Sequence, residues 1–341
     1  MLTQTTLITR IMIAVAILLV VCGFCLMTGT EKISPGNILK GPGSVPGSNI
    51  EYEIFIGVRL PRVLLAALVG AALAGSGVIL QAILRNPLAD PFILGISSGA
   101  GLGAVIAIIA GFTFTFLGGS PITVCAFAGA LTTVWIVWAI GRFTTKSELT
   151  SLLLAGVVVN AFFSALIMFL TSIAKSEQMQ ATVFWLMGNI SETSLPVIIV
   201  NFVIVLAGLA VLWSICLELN LLSFGESQAQ NLGVDPTRIK LIAFTASAII
   251  TAVAVSLSGL VGFVGLIVPH AIRLVLGPDH RQLLPISAII GAAFLVLADT
   301  IARTIVAPAQ LPVGVITAMT GGPFFLILLA RYTRKISWFS K

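Results

Sequence analysis

The chain has 341 residues, of which 58% are hydrophobic and only 9% charged. A soluble domain carries about 25% charged residues, so this composition excludes a water-soluble globule and points to repeated membrane crossings. The formal charge of +6 comes from basic residues scattered through short connecting segments, which in so apolar a chain reads as topology, not as a nucleic-acid footprint.

In chain order, Arg10 precedes a first apolar run near 11–29. That run is longer than the apolar part of a signal peptide and lacks an A-x-A exit. Val21 and Phe24, before Cys22 and Cys25, stand where lipoprotein processing wants a small residue, so a retained first span is expected. Cys22 and Cys25 form a C-x-x-C inside this run with no cationic neighbour to lower a thiol pKa. With Cys125 and Cys216 they read as packing residues.

Further apolar runs fall near 61–84, 92–117, 121–141, 149–173, 194–217, 238–276, 283–303 and 312–331. The alternation of a membrane β-barrel is absent, and the fold class is an all-α polytopic membrane protein, one domain over 1–341. As a single helix, 241–276 would be about 54 Å long against a hydrocarbon core of about 30 Å. It must fold back, and "LSGLVGFVGLIVP" supplies glycines and a proline for a break between Gly259 and Pro269. About ten spans result.

With the N-terminus inside, twelve of the eighteen basic residues fall on the inner side, the C-terminal tail "RYTRKISWFSK" included. Lys32, Lys40, Arg59, Arg62, Lys175 and Arg303 remain outside. Both termini are therefore expected to be cytoplasmic. A shift of 182 positions lays Ser76-Gly77 on Ser258-Gly259 and Pro87 on Pro269, a faint repeat between halves 57–173 and 238–332. The two halves would run in opposite directions, as in transporters built from inverted repeats.

Two inner segments carry more than a connector needs. "RNPLADP" follows the second span. The loop 217–237, "LELNLLSFGESQAQNLGVDPT", contains a short amphipathic helix ended by Gly233. Such a structured loop suggests a docking surface; a helix lying on lipid is the alternative.

These stretches carry a family resemblance. "RLPRVLLAALVGAALAGSGVILQAILRNPLADPFILGISSGAGLGA" resembles the start of the FecCD-like permeases, the membrane subunits of ABC importers for iron-siderophores, haem and vitamin B12. The likeness continues through "LLLAGVVVNAFFSAL", "WLMGNIS", "LNLLSFGESQAQNLGV", "GFVGLIVPHAIRLVLGPDHRQLLP", "LADTIAR" and "LPVGVITAMTGGPFFLILL". It implies ten helices, a homodimer or a pair of related permeases, two cytoplasmic ATPase subunits and a periplasmic or lipid-anchored substrate-binding protein. It also implies the cytoplasmic (inner) membrane of a prokaryote, with lipid and not nucleic acid as surroundings.

By matching positions, the resemblance assigns Arg59, Arg62 and Arg303 to docking of the binding protein, with Asp299 one turn before Arg303 to orient it. Snorkelling of these arginines to lipid phosphate is the alternative. It assigns Asn86, Leu88 and Leu149 to a cytoplasmic gate. "KSELT" around Leu149 departs from the Ser/Thr-rich form of the vitamin B12 permeases, which counts against a corrinoid. Phe224, Gly225, Glu226 and Gln228 match the element that couples to the ATPase. Asn160 and Ser164, four apart on the fifth span, would face the translocation path or hydrogen-bond between helices.

The sequence has no G-x-x-x-x-G-K-[ST] phosphate loop, so no enzymatic activity is expected of this chain, and ATP and Mg belong to the partner ATPase. No cofactor or metal is expected here, since His270 and His280 lack ligands at metal spacing. The alternative, an ion-gradient-driven secondary transporter, wants an acidic ion site within the membrane. Asp299 and Glu148 come nearest, and both sit toward span ends.

Overall fold

The structure is a computed structural model that describes residues 3–42, 49–116, 119–142, 148–191 and 194–337. Helix α1 (Gln4–Met27) is capped by Thr3, whose hydroxyl accepts from the Thr6 N–H at 3.2 Å. Two short helices, α2 (Pro35–Leu39) and α3 (Ile50–Ile54), follow. They are tied by Glu51, which accepts from the Ser34 N–H at 2.7 Å and from Asn37 Nδ2 at 3.0 Å. A π-helical turn, Phe55–Arg59, leads without a break into α4 (Leu60–Ile83). After a 3-10 turn at Pro91–Leu94 come α5 (Ile96–Ala110), α6 (Pro121–Arg142), α7 (Glu148–Ser172) and α8 (Ser176–Leu186). Then follow α9 (Leu195–Ser214), α10 (Cys216–Leu222) and α11 (Glu226–Asn231). The chain ends with α12 (Pro236–Ser258), α13 (Val264–Leu276), α14 (His280–Thr304) and α15 (Val313–Ser337).

Among the described residues there is no strand, only an isolated bridge between Phe116 and Gly119. Among the described residues, seven helical segments are long and apolar enough to cross a bilayer: Gln4–Met27, Ile50–Ile83, Pro121–Ile140, Leu154–Ser172, Leu195–Ser214, Pro236–Ser258 and His280–Thr304. Ile96–Ala110, Val264–Leu276 and Val313–Ile327 are apolar but shorter. The chain is a helical, polytopic membrane protein.

Helix α4 is the axis of the bundle and is buried along most of its length, against α12, α13 and α14. Small residues permit this. A Cβ on Gly70 would lie 2.2 Å from the Gly291 carbonyl oxygen of α14, and one on Gly77 would lie 2.0 Å from that of Gly265 in α13. By contrast α1 buries only Ala14 and Cys25; it leans on α14 along one side, packs Val21, Cys22 and Leu26 against the core, and leaves Met12, Leu19, Val20 and Phe24 exposed. All four cysteines are free thiols.

The long run 241–276 does fold back, at 259–263. Gly259 has φ +67, and a Cβ there would meet the Trp185 carbonyl oxygen at 2.2 Å. Phe263 closes the break in left-handed conformation, φ +69. Pro269, however, is not the breaker: it lies inside α13. A proline there leaves the carbonyl four residues earlier without its helical donor. That carbonyl, of Gly265, instead accepts from Gln81 Nε2 of α4 at 3.2 Å. Pro285 inside α14 is accommodated in the same way, since the Arg281 carbonyl accepts from Trp213 Nε1 at 3.1 Å.

Two stretches share an element order. Helices α4, α5, α6 and α7 have 24, 15, 22 and 25 residues, while α12 to α15 have 23, 13, 25 and 25. The 182-residue shift does not align their ends: Ser258 terminates α12, whereas Ser76 lies about two turns inside α4.

Candidate functional site at the two ends of the bundle

Helix α4 separates two polar sites by its own length, about 36 Å at 1.5 Å per residue. At its start, Arg62 grips Asp299 of α14: Nε lies 3.1 and 3.2 Å from the two carboxylate oxygens and Nη2 lies 3.1 Å from Oδ1. Arg62 Nη1 donates to Gln310 Oε1 at 3.0 Å. Arg303, one turn after Asp299, brings Nε within 3.1 Å of Oδ2 and donates from Nη2 to Thr300 Oγ1 at 3.1 Å. Arg59 turns the other way. Its Nη1 caps the end of α1, donating to the carbonyls of Leu26 at 3.0 Å and Met27 at 3.2 Å, and its Nη2 donates to the Glu31 carbonyl. All three arginines are buried in the single chain, at 3%, 7% and 7% exposure for Arg59, Arg62 and Arg303. The i,i+4 relation of Asp299 and Arg303 is visible in the sequence; the Arg62–Asp299 contact, across distant segments, is not.

At the other end, the α4–α5 turn is built around Asn86 and Asp90. Arg85 takes left-handed backbone, φ +48. Asn86 Oδ1 accepts from the Leu88 N–H at 3.0 Å, and the Asn86 carbonyl accepts from the Ala89 N–H at 3.0 Å. Asn86 is exposed and Leu88 half-buried. Asp90 caps the 3-10 turn through the Phe92 N–H at 2.9 Å. Burial pushes its carboxyl up to about 6, against the pull of hydrogen bonds from the backbone N–H groups of Phe92 and Phe263. Leu149 falls in the first turn of α7, and its side chain lies outside the described residues, as does that of Glu148. On the same helix Asn160 is exposed and Ser164 half-buried.

The α10–α11 loop is pinned to the body at several points. Asn220 Nδ2 donates to Asp279 Oδ1 at 2.8 Å, while Asn220 Oδ1 accepts from the His280 N–H at 3.0 Å. Bonding from Arg281 first, and then from Asn220, holds the Asp279 carboxyl down at about 2 despite its partial burial. Glu226 Oε1 lies 2.9 Å from Lys240 Nζ and 3.7 Å from Arg85 Nη2. Arg85 Nη2 also donates to the Leu222 carbonyl at 3.2 Å. Between these anchors Phe224 stands 72% exposed. Gly225 has φ +130 and ψ 150, a backbone region that essentially only glycine enters. Gln228 is exposed on α11, and Gly233 ends the loop helix with φ +85. Sequence reasoning placed Phe224, Gly225, Glu226 and Gln228 on this loop but missed Lys240, and also Arg85, Asn220 and Asp279, whose partners lie far off along the chain.

Comparison with known proteins fits this geometry. The FecCD transport family matches residues 17–331. The chain belongs to that family. It is 46% identical over 285 residues to the cobalamin import system permease protein BtuC of Halobacterium salinarum, covering 81% of this chain and 73% of that one. It is 43% identical over 281 residues to the hemin transport system permease protein HmuU of Yersinia pestis, covering 82% and 84%. A solved metal-chelate-type ABC transporter in an inward-facing conformation superimposes with a TM-score of 0.81 at 33% identity, covering 94% of this chain and 98% of that one. This FecCD-family chain is thus a permease component of an ABC importer. Asp299, one of the two acidic residues considered as ion site of a secondary transporter, is closed off between two arginines; the side chain of the other, Glu148, lies outside the described residues.

Proposed function

We propose that this chain, paired with a second copy or a related permease, forms the passage through which an ATP-driven importer carries a metal chelate across the cytoplasmic membrane of a prokaryote. The substrate class is that of the relatives, which carry cobalamin and hemin or belong to the metal-chelate type. An iron-siderophore or haem fits before a corrinoid, because "KSELT" departs from the vitamin B12 form. The seven long and three shorter apolar helices among the described residues support a reading of ten spans, with both termini inside and with α4–α7 and α12–α15 as the inverted repeat. The chain itself binds no cofactor, and ATP and Mg act in the two cytoplasmic ATPase subunits.

The observation that carries this reading is the α10–α11 loop, pinned on its inner side yet presenting Phe224 and Gln228 outward on either side of the half-buried Gly225. It suits a cleft on an ATPase surface. Asn86, Leu88 and Leu149 form the cytoplasmic gate. Arg59, Arg62 and Arg303 receive the binding protein on the outside, and Asn160 and Ser164 line the path between paired permeases. Membrane-purified chain should bring down an ATPase whose hydrolysis rises with the loaded binding protein. Gly225→Ala should remove that rise while the chain still inserts, because the cost is backbone strain and the nearest side chain to a new Cβ is 3.9 Å away. Uptake driven by an ion gradient without any ATPase would sink the reading.

A further inference from the structure

Arg85 follows the last turn of α4 in a left-handed conformation. Glycine or asparagine would enter that region more easily than a residue with a long side chain. The side chain accounts for the choice. Its Nη2 donates to the carbonyl of Leu222, which ends α10, and faces the carboxylate of Glu226, which begins α11. The two contacts therefore bracket Ser223, Phe224 and Gly225, the exposed bend of the loop. Lys240 also holds Glu226, but it sits in the first turns of α12, directly after the loop. That pair ties the loop to its own continuation. Arg85 ties it to a different part of the chain, the turn in which Asn86 and Leu88 come next.

A guanidinium suits this task. It presents several donors in a fixed plane and can hold a carbonyl and a carboxylate at once, which a lysine ammonium on a flexible stem does less well. The far end of the same turn is anchored separately, through the Asp90 carboxylate, which accepts from the Phe92 N–H and from the Phe263 N–H at the 259–263 break. Residues 85–89 thus lie between a fixed end and a tether to the loop.

We propose that Arg85 is a positioning residue that makes the α4–α5 turn follow the α10–α11 loop, so that displacement of the loop from the cytoplasmic side resets Asn86 and Leu88. The proposal rests on reading the loop as the ATPase contact and the turn as a gate.

The test uses the full permease assembled with its ATPase in lipid vesicles, with all four native cysteines replaced. Spin labels at positions 8 and 88 report the turn, and labels at 8 and 227 report the loop; Ile8 and Ser227 are both exposed. Distances are measured with and without ATP, Mg and vanadate. Both should shift in the parent chain. In Arg85→Gly, which relieves the backbone, the loop should still shift and the turn should lose its shift. Arg85→Met is read in the same way, should the glycine variant assemble poorly. Arg85→Lys should restore part of the turn's movement, and Lys240→Met should keep both. A turn that moves normally in both Arg85→Gly and Arg85→Met overturns the proposal. So does equal loss in Lys240→Met, which would mark a general effect of charge around Glu226. Failure of the parent chain to bind an ATPase at all would instead strike the function proposed above.

Discussion

Arg59, Arg62 and Arg303 crowd the proposed outer end of the bundle with too little negative charge to match them. Asp299 touches Arg62 and Arg303, and Glu31 lies close enough to act on Arg59, so three cations face two carboxylates. Burial makes simple charge reversal a poor probe. A glutamate at 62 would sit beside Asp299 and break a buried ion pair, which costs about 3–5 kcal/mol by itself. Glutamine is the better substitution, since it keeps hydrogen-bonding capacity and removes the charge. If the surplus charge receives an acidic binding protein, Arg59→Gln, Arg62→Gln and Arg303→Gln should each slow association at low salt. Their rates should converge with the parent at 1 M salt, where the Debye length is about 3 Å. Stopped-flow association across a salt series checks this. A purely structural role predicts the same proportional loss at every salt concentration, and that result would remove the docking assignment.

At the scale of elements, α4 and α13 meet where a proline and a glutamine answer one another. Gln81 supplies the hydrogen bond that Pro269 denies to the Gly265 carbonyl, while its own Oε1 is buried without a partner among the described contacts. Gln81→Met removes both the useful donor and the unsatisfied acceptor, so its single effect on stability has no clear sign. The coupling does. Pro269→Ala returns the helical N–H, and in that background the glutamine has little left to do. A double-mutant cycle by unfolding in mixed micelles should give a coupling of about 0.6 kcal/mol, the average for interhelical hydrogen bonds, and no more than about 1.7 kcal/mol, their maximum. Additive effects would show that the bond contributes nothing. The same pair shows what the sequence could and could not reveal. Apolar runs placed α4, α6 and α7 within a residue or so, because lipid-facing and packed positions alike must be apolar. Gly259 announced the fold-back, since only glycine fits beneath the Trp185 carbonyl. Phe263 in left-handed backbone announced nothing, and Pro269 misled, because the donor that rescues it comes from another helix. The run 92–117 overshot α5, which stops at Ala110 with Gly111 at φ +64. Likewise the candidate site was legible in its exposed members and its i,i+4 pair, and illegible in Arg85, Lys240 and Asn220, which act through tertiary contacts.

For the whole molecule, the decisive question is whether the short apolar helices cross. At 1.5 Å per residue, α5 spans about 22 Å and α13 about 20 Å, less than a hydrocarbon core of about 30 Å. Packing makes up the difference: α5 lies against α6 and α7, and α13 against α4 and α14. The connecting backbone at 259–263 is likewise held within protein, where irregular structure at membrane depth is tolerated, whereas the 84–95 turn exposes Arg85, Asn86 and Pro87. Parity then separates the alternatives. Seven spans put the termini on opposite sides, whereas ten put both on the side that holds twelve of the eighteen basic residues. Reporters fused before Met1 and after Lys341 should both read cytoplasmic, and one inserted at 40–50 should read external. A fourth reporter at Gly277–Asp279 isolates the fold-back: α12 and α13 as two crossings return the chain to the cytoplasm, while one crossing leaves that site outside. Termini on opposite sides, or an external reading at 277–279, would refute the ten-span topology. The second result would also move the Asp279–Asn220 anchor, and with it the α10–α11 loop, to the wrong side of the membrane for an ATPase.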